Sequence, residues 1–170
     1  MKNIIIMAFI AILPSLAFGQ NKSIEKFYNK YKSQENVTDI NLQGWVLELA
    51  ASFSDDESEK VLEKISKLRV LIIEEGNLVN GSEYNQLVKE VKKDSFEELM
   101  QFKDGNEKVD IMLREKGKKI TNVLLIARGN DGFIMLSLEG NLNWKDLKSL
   151  EIDVEGAEHL KKLPEDMPRA

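Results

Sequence analysis

The chain has no cysteine, one histidine and three prolines among its 170 residues. Without cysteine there is no disulfide framework, no thiolate metal site, no Cys–His nucleophile pair and no lipid-bearing cysteine. The lone histidine, His159, cannot build a multi-histidine metal centre and reads as a solvated residue of the C-terminal tail. A Ser-His-acid triad would have to use it, and no G-x-S-x-G elbow accompanies it. P-loop and G-x-G-x-x-G phosphate cradles are missing too. Basic side chains are outnumbered 24 to 29 and form no cluster on one helix, so a nucleic-acid partner is not expected. No cofactor and no metal is expected either.

Long apolar runs are scarce, and the one present is at the start. Met1 to Gly19 has a positive Lys2, an apolar stretch from Ile4 to Leu13, a breaking Pro14, and small residues in Ala17-Phe18-Gly19. This is the pattern of a secretory signal peptide cleaved after Gly19. The run is too short to span a membrane, and no transmembrane segment is expected after cleavage. Cleavage removes 19 of 170 residues, leaving 151, and takes away Lys2, so 23 basic residues face 29 acidic ones. The expected location is the periplasm or the outside of the cell.

The stretch from Phe96 to Gly140 reads as four strands joined by three tight turns, at Asp104-Gly105-Asn106, Glu115-Lys116-Gly117-Lys118 and Gly129-Asn130-Asp131-Gly132. Val109, Ile111 and Leu113 alternate with Asp110, Met112 and Arg114, a half-buried strand pattern. The runs from Val123 to Ala127 and from Phe133 to Leu136 are apolar at every position, as in strands covered on both sides. One expected face carries Val109, Ile111, Leu113, Leu124, Ile126, Ile134, Leu136 and Leu138. The other carries Met112, Val123, Leu125, Ala127, Phe133 and Met135. Five of these, Met112, Val123, Leu125, Phe133 and Met135, form the candidate ligand or partner face, since an exposed apolar patch marks a contact site. The competing expectation is that N-terminal helices cover it.

Before this stretch, Ile24, Phe27, Tyr28 and Tyr31 make a helical stripe opened by Ser23. Asn36 to Leu42 alternates as a short strand, with Thr38, Ile40 and Leu42 on one side. A second helix carries Val46, Leu49, Ala50 and Phe53, and a third carries Val61, Leu62 and Ile65. Ser54 and Glu57 fit a capping box between them. The acids Asp55, Asp56, Glu57 and Glu59 lack the spacing of a calcium loop and suit a helix N-terminus instead. Leu68 to Glu74 reads as a strand. Ser82 opens a fourth helix with Tyr84, Leu87, Val88 and Val91. After the four strands, Asn143 caps a short helix with Trp144, Leu147 and Leu150, and residues 153–170 read as a loosely ordered tail. The expected fold is one α+β domain over residues 20–152: an antiparallel sheet built on a four-strand meander, with helices packed largely on one face.

FYNKY near the N-terminus, VTDINLQGWVLELA, KLRVLII and the closing FIMLSLEGNLNWKDL together resemble the DUF4252 family, from about Phe27 to Leu150. The resemblance implies a small exported protein of Bacteroidota-type bacteria with no catalytic or ligand residues to transfer. It also implies an accessory role in envelope stress or signalling. Three functions follow as expectations. The first is a non-enzymatic domain that binds an envelope protein or an apolar ligand through the candidate face. The second is a carboxylate-dependent hydrolase of the cell envelope, using acids such as Glu97, Glu98 and Asp110. The third is an assembly protein that self-associates through the edge of the meander.

Overall fold

A computed structural model describes residues 21–52, 54, 56–74 and 78–149. The expected signal segment and the tail lie outside the described residues. The elements run α1 (Lys22–Tyr31), β1 (Val37–Gln43), α2 (Trp45–Ala51), α3 (Asp56–Leu62), β2 (Ile65–Ile73), α4 (Gly81–Lys93), β3 (Glu97–Asp104), β4 (Glu107–Lys116), β5 (Lys119–Arg128), β6 (Phe133–Leu142) and α5 (Trp144–Ser149). The sheet has six antiparallel strands in the order β1-β2-β6-β5-β4-β3. The strands from β3 to β6 are therefore neighbours in chain order, and β1 and β2 extend the sheet beyond β6. α4 carries the chain from β2, on one side of β6, across to the far edge at β3.

Helices cover both faces, which corrects the expectation that they pack largely on one. α1 and α4 lie over Leu71, Ile73, Met112, Leu124, Ile126, Phe133 and Met135. α2, α3 and α5 contribute Leu47, Val61 and Leu147 to a second core, over Ile111, Leu113, Ile120, Val123, Leu125, Leu136, Leu138 and Leu142. Strands buried on both faces need apolar side chains at successive positions, and β5 has them from Val123 to Ile126.

Local chemistry fixes the ends of the elements. Asn80, not Ser82, caps α4: its Oδ1 accepts from Ser82 N at 2.9 Å and Glu83 N at 3.0 Å, and Glu83 accepts from Asn80 N in return. At α1 the expected cap Ser23 lies inside the helix, and its backbone N–H is met by Asp94 Oδ2 at 2.8 Å, from the far end of α4. Ser54 Oγ donates to Ala50 O, while Glu57 of the expected capping box lies outside the described side chains. Asn143 does cap α5, with Asp146 as the reciprocal partner. β2 starts at Ile65, which belongs to the sheet rather than to the third helix. Among the described side chains of the second helix Leu47 is buried and Ala50 is exposed, while Leu49 and Phe53 of the expected stripe lie outside the described side chains. Two glycines are required by close approach. A Cβ on Gly132 would stand 2.1 Å from Ile73 O, and one on Gly140 would stand 2.4 Å from Lys64 O.

Candidate functional site

The five residues expected to form one contact face do not share a face. Met112, Phe133 and Met135 lie beneath α1 and α4, and Val123 and Leu125 lie on the opposite side. All five are buried. The reason is the phase of β5. Directly opposed residues in an antiparallel pair point to the same side. The register pairs Met112 with Leu124 and Ile111 with Leu125, so Leu124 and Ile126 join Met112, while Val123, Leu125 and Ala127 join Ile111. Shifting a strand by one residue exchanges its faces. A strand apolar at every position carries no period-two signal to choose between them.

With the phase corrected, the side bearing α2, α3 and α5 resolves into three rows across the sheet. Leu42, Leu68, Leu138, Val123 and Leu113 make the row nearest the helices. Ile40, Val70, Leu136, Leu125, Ile111 and Met100 make the middle row, buried at its centre and half-covered or exposed at its ends. Thr38, Ile72, Ile134, Ala127, Val109 and Phe102 make the third, one residue from each strand. No member of the third row is fully buried: Ile72, Ile134, Ala127 and Val109 are half-buried, and Phe102 is 38% exposed. Ile40, at the end of the middle row, is 39% exposed. The result is an apolar strip along one end of the sheet face that the described helices leave open.

A cleft of about 230 Å³ opens beside the strip at the β5–β6 turn. Ile72, Val109, Ala127 and Ile134 supply its apolar lining, and Glu74, Glu107, Arg128 and Asp131 its charged lining. The Nε of Arg128 already donates to Val79 O at 2.9 Å. The balance around the cleft is therefore acidic.

The opposite face holds most of the buried polar groups, and apart from Arg69 Nε, which is buried without a hydrogen-bond partner, they form internally paired latches rather than a reaction site. Asp110 is fully buried and accepts from Tyr84 Oη at 2.5 Å and Gln101 Nε2 at 2.6 Å, with Lys108 Nζ at 3.4 Å. Burial first, and the neighbouring Asp110 second, push the Tyr84 phenol far above its ordinary range, so it stays a donor. Arg69 is buried against the ring of Tyr28 and reaches Glu25 and Glu139. The hydrogen bond to Arg69 outweighs desolvation and holds the Glu25 carboxyl below its usual range. Tyr28 donates to Asp39, and burial followed by that bond pushes its phenol up to about 12. Together these tie α1 and α4 to the sheet.

Of the acids considered for hydrolysis, Asp110 is sealed from solvent by its donors, Glu98 pairs with Lys92 at 2.7 Å, and Glu97 is exposed on an edge strand. None of the three lines the cleft at the β5–β6 turn. Among the described residues no cluster of three His, Asp or Glu could hold a metal ion, and no helix is long and apolar enough to cross a membrane. Sequence reasoning missed the third row. Its signal was present in the alternation of β1 and β4, but the row becomes visible only when register aligns all six strands.

One family's sequence model matches residues 31–150, and its description is a domain of unknown function, DUF4252. No curated protein and no solved structure matches the chain.

Proposed function

We propose that this chain, which belongs to the DUF4252 family, is an exported, non-enzymatic binding domain that receives its partner on the open strip. The observation that carries the reading is the third row, Thr38, Ile72, Ile134, Ala127, Val109 and Phe102, none of it fully buried, on a sheet whose central strands β5 and β6 are otherwise largely covered on both sides. Apolar area left open on a folded domain is the usual mark of a contact surface. The acidic lining beside it favours a partner segment that sets basic side chains next to apolar ones. The setting, periplasm or cell exterior, is read from the first nineteen residues, and an envelope protein fits both setting and surface. The accessory role in envelope signalling or stress rests on family resemblance.

The test is a cross-linked pull-down from the native envelope with three baits: the parent chain, Ile134→Lys, and Lys89→Glu on the outer side of α4. A partner retained by the parent and by Lys89→Glu, but lost by a folded Ile134→Lys, is the expected result. Equal retention by all three baits would reject the strip as the binding surface.

A further inference from the structure

The two edges of the sheet differ in kind. β3 carries four charged residues in eight and is broken by a bulge between Glu98 and Met100, both devices that discourage another strand from pairing. β1 has neither. It pairs with β2 over seven consecutive residues without a register shift, and its only charged residue, Asp39, is engaged by Tyr28. The bond from Glu74 N to Asn36 O sets the phase of this ladder. Thr38, Ile40 and Leu42 therefore turn their backbone groups toward β2, and Val37, Asp39, Asn41 and Gln43 turn theirs outward. Among the described residues no hydrogen bond is made to those four outward backbone units.

We infer that β1 is a self-association edge: two copies of this chain join β1 to β1 antiparallel, about a twofold axis at Ile40, in a continuous twelve-stranded sheet. The register is selected by charge and length. An axis at Ile40 pairs all seven residues, placing Asp39 opposite Asn41, Val37 opposite Gln43, and Thr38 opposite Leu42. Moving the axis to Asp39 sets two carboxylates against each other, which disfavours pairing. Moving it to Asn41 leaves Val37 and Thr38 without partners. At Ile40 the outward backbone groups of Asp39 meet those of Asn41 as a hydrogen-bonded pair. The two Ile40 side chains form the closely spaced non-bonded pair at the centre, which gives the 39% exposed Ile40 an apolar neighbour. The inference stands on the edge alone and is separable from the role of the strip.

Sedimentation equilibrium of the purified chain from about 1 µM to about 500 µM tests it. The expected result is a monomer–dimer equilibrium. Ile40→Lys and Ile40→Glu should each raise the dissociation constant roughly tenfold or more, and an equimolar mixture of the two should restore it. Asn41→Pro removes an outward N–H without taking a bond from β2, and should weaken the dimer by a similar factor. It decides the matter if the Ile40 variants lose the parent's circular dichroism. A chain that stays monomeric throughout overturns the inference, as does a dimer indifferent to Asn41→Pro, or an edge that takes up an extended peptide while the chain itself remains single.

Discussion

The two faces of the sheet are built to different specifications. Beneath α1 and α4 every strand from β2 to β4 contributes a buried apolar residue, and the polar groups there are pinned by Tyr84, Tyr28 and Arg69. Beneath α2, α3 and α5 the cover is shorter, the core cluster is apolar with buried Asp146, paired to Lys64, at its margin, and one row is left open. Buried polar contacts specify a unique arrangement because an unpaired group in the interior is costly. A purely apolar surface is less particular about what covers it. The first face is therefore the more fully specified of the two, and the second leaves a row of side chains that the described helices do not cover.

Substitutions should separate the two faces sharply. Phe133→Ala removes a ring 1% exposed, packed against Phe27 and Tyr84, and should cost about 3–5 kcal/mol in urea denaturation. Tyr84→Phe should cost about 1–3 kcal/mol, because it leaves the buried Asp110 one donor short. Val109→Ser in the open row should change the unfolding free energy measured in urea by less than about 1 kcal/mol, while lowering binding of any partner that uses the strip. If Val109→Ser proves as damaging as Tyr84→Phe, the contrast between the faces fails.

The smallest effect is electrostatic. The folded Glu25 carboxyl sits below its unfolded value, so its contribution is present above the unfolded value and fades as pH falls through the folded one. Glu25→Gln should therefore flatten the acid limb of the stability curve and leave the neutral plateau slightly lower. Because Glu25 is partly exposed, added salt should shrink the difference.

How far the sequence alone reveals this molecule depends on the kind of signal. The order of elements was legible because glycine and Asx turns punctuate the strands and 3.6-residue stripes mark α1 and α4. The side on which each β5 residue falls was not, since Val123 to Ile126 are apolar without interruption and only the pairing with β4 sets the phase. The cap of α4 was within reach. Asn80 and Ser82 are both good caps, but only Asn80 stands three residues before Glu83. The partner of the α1 N-terminus was out of reach, because Asp94 is 71 residues from Ser23. Helix cover on both faces was legible in the amount of apolar surface but not in its division, which depends on which side α2, α3 and α5 choose.

The placement of β2 has a consequence for how the chain becomes a protein. Its partner on the inner side is β6, the last of the described strands to leave the ribosome, with α4 and three other strands coming first. The strands from β3 onward can zip in sequence through nearest-neighbour hairpins, whereas β1 and β2 must wait for a long loop to close. Until then the apolar residues of β2, Leu71 and Ile73 among them, have no sheet to join. The newborn chain should therefore be most exposed to misassociation in its N-terminal half, which carries β2, and truncation at β6 should strand the same segment.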